Sequence, residues 1–81
     1  MRYYFDIRTA NMTMPDTEGA ELSGIEEALD EALISAREVI AYAASRGQSV
    51  TSWRFVIRDE KGSGVIFPFR TALHPTTCQS A

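Results

Sequence analysis

The sequence predicts an α+β fold: a two-layer domain with a small, mostly antiparallel sheet of three or four strands, covered on one face by a single long helix. Three observations carry that expectation. Residues 23–47 repeat apolar side chains at steps of three and four, residues 2–8 and 53–59 alternate with period two, and Asp59-Glu60-Lys61-Gly62 reads as a tight hairpin turn.

The first strand is expected at residues 2–8. Tyr3, Phe5 and Ile7 point one way, and Arg2, Tyr4, Asp6 and Arg8 the other. Residues 9–22 hold the turn formers Asn11, Pro15, Asp16 and Gly19, with Met12, Met14 and Leu22 expected to cover the edge of the core. Two readings stay open for residues 19–22, a short strand beside the first or an ordered loop.

The helix stripe is Ile25, Ala28, Leu29, Ala32, Leu33, Ala36, Val39, Ile40 and Ala43. Ser23 is the expected N-cap with Glu26 as its capping-box partner, Leu22 a hydrophobic staple, and Gly47 the left-handed C-cap. Such a helix is about 34 Å long, whereas a seven-residue strand spans about 23 Å. The turn at Ala43, Ala44 and Ser45 is therefore expected to overhang the sheet.

In the second half, Trp53, Phe55 and Ile57 share a face opposite Arg54, Val56 and Arg58. Gly62 suits the left-handed position of a type I turn with a bulge. Residues 64–69 return as the hairpin's second strand, with Val65, Phe67 and Phe69 toward the helix and Ile66, Pro68 and Arg70 away from it. Pro68 cannot donate to a ladder, which favours an edge or a strand end. Residues 1–73 are expected to form one domain, with Ala72 and Leu73 docking, and residues 74–81 a flexible tail.

Composition narrows the function classes. With 81 residues the chain holds one domain, and a 44% hydrophobic share gathered in periodic segments argues against disorder. The net charge of -3 disfavours a dedicated nucleic-acid binder. Eight acidic residues lie between Asp16 and Arg46 against two arginines, while the other six basic residues lie outside that stretch. A single cysteine excludes an internal disulfide, and no apolar run reaches the ~20 residues of a membrane span. Asp6 and Arg8 interrupt any signal-peptide pattern, so a cytoplasmic location is the expectation.

Three segments carry a resemblance. Arg2-Tyr3-Tyr4-Phe5-Asp6-Ile7 opens the chain. Asp16-Thr17-Glu18-Gly19-Ala20-Glu21-Leu22 leads into an acidic, alanine-rich helix. Val56-Ile57-Arg58-Asp59-Glu60-Lys61-Gly62 is followed by Phe67-Pro68-Phe69. In this order, over residues 2–73, they resemble a family of small uncharacterised bacterial proteins, a domain of unknown function common in rhizobia and their relatives. The stretch between the first strand and Asp16-x-x-Gly19 is longer here than in many members. The resemblance implies one fold and carries over no catalytic residue.

No constellation of residues calls for an enzyme, a metal or a cofactor. His74 and Cys78 have metal-ligand chemistry but no third ligand beside them in sequence. Asp16, Glu18 and Glu21 lack the spacing of a calcium loop, and Gly62 and Gly64 are hairpin glycines rather than a phosphate loop. Asp6, mid-strand, is expected to pair across strands with Arg54 or Arg58.

The place for a function is the sheet face away from the helix, which gathers Arg2, Tyr4, Asp6, Arg8, Arg54, Val56, Arg58, Ile66 and Arg70. Arginine, tyrosine and isolated aliphatics are the mixture enriched at protein interfaces. The expected role is non-enzymatic protein interaction or self-association, including a homodimer. The alternatives are weak single-stranded nucleic-acid binding and a solvated face with arginine stems lying over apolar sheet.

Overall fold

The computed structural model describes residues 1–73, so His74, Cys78 and the expected tail lie outside the described residues. The elements are β1 (Arg2–Arg8), β2 (Thr13–Met14), β3 (Ala20–Glu21), α1 (Ile25–Ser45), β4 (Arg54–Asp59), β5 (Gly64–Pro68) and a 3₁₀ turn (Phe69–Leu73). Every strand pair is antiparallel, in the order β2-β1-β4-β5, with β3 also on β1. The fold is α+β, one long helix on one sheet. None of the described helices is long and apolar enough to cross a membrane.

The register sorts the side chains as the alternation predicts. Phe5 lies opposite Ile57 and Ile7 opposite Phe55, while Ile57 meets Val65 and Phe55 meets Phe67 on the next strand. All of these but Val65, which is 38% exposed, pack with Tyr3, Phe69 and the helix in one core cluster. Phe55 touches Phe5 edge-on at 5.9 Å and Phe69 at 4.9 Å between ring centroids.

From the helix, Ala28, Ala32, Ala36 and Ala43 are buried in that cluster, with Leu29, Leu33, Val39 and Ile40 partly buried around them. Small residues on the helix thus meet large ones on the sheet. The Cα envelope is 36 × 36 × 16 Å, a slab one sheet and one helix thick.

The helix ends differ from expectation at one terminus only. Gly24, not Ser23, is the N-cap, and no side chain caps it. Instead Glu27, at the third helical position, accepts the Ser23 N–H at 2.7 Å, so the back-reaching half of a capping box forms one residue later than the Ser23–Glu26 spacing implies. At the other end, Gly47 N–H donates to Ala44 O and Gln48 N–H to Ala43 O, with Gly47 at φ +74°. That is a Schellman motif. It turns the chain back so that Val50 is buried in the same cluster as Ala43. The expected overhang is therefore covered at Ala43 and exposed only at Ala44 and Ser45.

At the sheet margins, the strand alternative for residues 19–22 is the one realised, as β3 beside β1, while the methionines need a correction. A second short strand, β2, forms at the methionines, and Met12 and Met14 do not cover the core: they are 60% and 36% exposed. Met14 lies beside Ile7 in β2, the outermost strand on that side among the described residues. The hairpin turn is as expected, with Gly62 N–H donating to Asp59 O and Gly62 at φ +88°. The strand after it stops at Pro68, and the chain turns at Phe69, which is fully buried. Arg37 Nε donates to Ala72 O at 3.4 Å, tying that turn to the helix. Ala72 docks and Leu73 stays exposed.

The alanine stripe yields a prediction. Ala32→Leu should overpack the interface and cost about 1–3 kcal/mol. Ala44→Leu, on the exposed side, should stay within about 0.5 kcal/mol of the parent. Urea unfolding of the two variants measures both.

Candidate interaction face of the sheet

The face away from the helix begins with a gap. β1 is central, with β4 along one side and β2 and β3 both on the other. Met14 pairs with Ile7 and Ala20 with Tyr3, leaving the edge beside Phe5 without a strand. The Asp16 carboxylate fills it. Its Oδ2 accepts the Phe5 N–H at 3.0 Å, and its Oδ1 accepts the N–H groups of Glu18 and Gly19, both at 3.1 Å. A side chain thus supplies the missing rung and folds its own loop around it.

Gly19 closes that loop at φ +72°, in the left-handed region. A Cβ there would meet the Tyr3 carbonyl oxygen at 2.9 Å and the Tyr4 ring at 3.0 Å. The backbone oxygen cannot yield, so both ends of Asp16-x-x-Gly19 have a stated structural cause.

From this loop a polar chain runs across the face. Asp16 N–H donates to Asp6 Oδ1 at 2.8 Å. Arg58 donates to Asp6 through Nε at 2.7 Å and Nη2 at 3.1 Å, a bidentate pair. The guanidinium lies 4.9 Å from the centroid of the Tyr4 ring, directly across the strands. Asp6 is only 8% exposed. Of the two arginines expected as its partner, Arg58 is the one.

The Arg58 hydrogen bond holds the Asp6 carboxyl below the usual carboxylate range, against the upward push of burial and with help from the Asp16 N–H. For Asp16 burial is the largest influence and pushes upward. The N–H groups of Phe5, Gly19 and Glu18 together outweigh it, and the net shift is downward.

The remaining expected face residues separate into bound and unbound. Arg2 is tied to the edge, with Nη1 donating to Glu18 O at 2.9 Å and Nη2 3.6 Å from Glu21. Arg8 and Arg54 lie directly opposite each other on β1 and β4, and neither has an ion-pair partner among the described residues. Val56 lies between Asp6 and Ile66, half-buried, and Ile66 is 57% exposed.

Arg70 is a correction, since it leaves the strand. It sits in the 3₁₀ turn and lines an open concavity of about 270 Å³ with Arg54, Pro68, Trp53, Thr51 and Ser52. Thr51 and Ser52 escape sequence reasoning because no periodicity marks a connection. Asp16 escapes it because an acidic turn before a helix looks the same with or without a rung to fill. Among the described residues, no group of three or more His, Cys, Asp or Glu could hold a metal ion.

Two predictions follow from the carboxylates. Asp16→Ala strands three N–H groups and should cost about 1–3 kcal/mol at neutral pH, read by urea unfolding. The pH dependence has a definite sign. Both folded-state pKa values lie below the unfolded ones, which are near 4 at about the ordinary carboxylate value. The stabilisation is full above that pH and is lost as pH falls through the depressed folded values. Unfolding free energy measured at stepped acid pH should fall less steeply for Asp6→Asn than for the parent; equal slopes would refute the assignment.

The family model described as Domain of unknown function (DUF6894) matches residues 2–70, a span that contains the β1 motif, the Asp16-x-x-Gly19 loop and the β4–β5 hairpin. No curated protein and no solved structure matches the chain. With 69 of its residues, 2–70, inside that one match, the chain belongs to the DUF6894 family of domains of unknown function.

Proposed function

We propose that this domain is a non-enzymatic protein-interaction module that uses the outer sheet face to hold an acidic segment of a protein partner or of another copy of itself. One observation carries the reading. Arg8 and Arg54 are directly opposite on neighbouring strands, and Arg70 shares a concavity with Arg54. Like charges placed opposite each other in a sheet are unfavourable in the isolated domain. An acidic partner relieves that repulsion, and the adjoining Val56, Ile66 and Pro68 supply apolar contact beside it. The acidic side of α1, with Glu26, Glu27, Asp30 and Glu31, is such a segment when a second copy offers it.

In this reading the protein works in the cytoplasm, without a cofactor, in a bacterium of the rhizobial group or its relatives. Nucleic acid is the weaker partner: Tyr4 is the aromatic that a base would stack on, and its ring already carries the Arg58 guanidinium.

Arg54→Glu tests the reading. It turns a repulsive cross-strand pair into an attractive one, so the isolated domain should hold its stability or gain about 0.2–1 kcal/mol. Capture of partners from extract, or self-association that weakens with salt, should be lost. Unchanged capture by a folded Arg54→Glu variant would overturn the proposal. So would tight, salt-sensitive binding of a single-stranded oligonucleotide in a fluorescence anisotropy titration.

A further inference from the structure

The sheet has a second unpartnered feature, the outer edge of β5. Among the described residues this strand pairs only with β4. The hydrogen bonds at the two ends of the hairpin fix which amides face outward. Asp59 N–H donates to Ser63 O and Phe69 N–H to Trp53 O, both at 2.9 Å. Between them Ile57 pairs with Val65 and Phe55 with Phe67, so the amides of Val65 and Phe67 turn toward β4. Those of Gly64, Ile66 and Pro68 turn toward the open edge. Pro68 has no N–H, and its missing donor falls where β4 does not need one.

Edge strands of natural proteins are usually blunted by lysines, inward charges, bulges or a central proline. From Gly64 to Phe67 this edge has no charged residue, and its proline stands at the last position. It also leaves Ile66 57% and Val65 38% exposed, one on each face of the sheet.

We propose that the open edge of β5 pairs antiparallel with the same edge of a second copy, about a two-fold axis through Ile66. In that register Ile66 exchanges both of its backbone hydrogen bonds with Ile66 of the second copy. Each Gly64 N–H meets a Pro68 carbonyl, and only the Gly64 carbonyls, which face a proline, are left without a donor. The side chains agree with it. Ile66 lies against Ile66 on the outer face, and Val65 lies against Phe67 on the helix face. Moving the axis to Val65 would set Ile66 against Gly64 and forfeit that apolar contact. The dimer is a continuous sheet with both helices on one side and the two arginine-bearing faces side by side on the other. The contact is isologous and closes on itself, so it makes dimers rather than filaments.

This contact is separate from the acidic-partner reading, and salt tells them apart. Backbone and apolar contacts in the β5 pair should be nearly indifferent to salt, whereas arginine–carboxylate contacts on the face weaken with it. Sedimentation of the whole chain up to about 1 mM, where short interfaces still associate, should show the mass rising from 9.0 kDa toward twice that value. Ile66→Pro removes an outward N–H that β4 does not use, and should weaken association at least tenfold, as roughly expected for two lost backbone hydrogen bonds. Ile66→Ala keeps the backbone and should remain a dimer, and Arg54→Glu should leave the dimer intact.

A strict monomer over that range overturns the proposal. So does an Ile66→Pro variant that associates like the parent, or an Ile66→Ala variant as impaired as Ile66→Pro. Dissociation by Arg54→Glu but not by Ile66→Pro would place the contact on the face instead. A variant-free readout stands beside these: the Ile66 and Gly64 amides should gain protection from hydrogen exchange as concentration rises. If they exchange equally fast at all concentrations, the edge is not the contact.

Discussion

The outer half of this sheet depends on one carboxylate standing in for a strand. β1 needs partners on both sides, and on one side only its two ends find backbone to pair with. Asp16 supplies the middle rung through Oδ2 and uses Oδ1 to hold Glu18 and Gly19 in the turn. An unpaired N–H at that depth would cost on the order of a lost hydrogen bond, so the loop is pinned where it is. Its backbone then presents an N–H to Asp6, Asp6 orients Arg58, and Arg58 lies over Tyr4. A local solution at the sheet edge thereby organises the face as far as β4.

That chain of contacts also decides what the acidic loop is for. The Asp16 oxygens are occupied by three N–H groups, which leaves little coordination for a cation. Gly19 is fixed by a positive φ and by the carbonyl its Cβ would strike. The Asp-x-x-Gly signature inside the family match is accounted for as architecture, and with it Asp6, Arg58 and Tyr4. Among the described residues in and beside this face, the arginines without such duties are Arg8 and Arg54 on the sheet and Arg70 in the adjoining 3₁₀ turn.

The two faces of the sheet show opposite solutions to burial. Toward the helix, aromatic side chains are met by alanines, so large and small surfaces interlock in a slab 16 Å thick. Away from the helix, no second layer is formed among the described residues. Aliphatics such as Val56 and Ile66 lie among arginine stems, and β5 presents a backbone edge beside them. A domain of this size has one core to build, and everything left over is surface available for contacts.

Much of this was legible in the residues themselves. The helix stripe, the alternation of β1 and β4, the hairpin at Asp59–Gly62 and the C-cap at Gly47 all depend on near neighbours in sequence, where spacing alone dictates which side a residue faces. The membership of the outer face followed from the same parity, except for Arg70, where burying Phe69 turned the chain before the alternation could reach it. The tertiary structure alone decided the rest. Periodicity cannot show that β1 lacks an edge partner at Phe5, and Asp16 acquires its role only from that gap. Nor can it choose Arg58 over Arg54 for Asp6, because the choice depends on a diagonal across paired strands, between residues 52 positions apart in sequence. Sequence spacing determines which side of an element a residue occupies; only packing determines which residues find partners there and which are left without one.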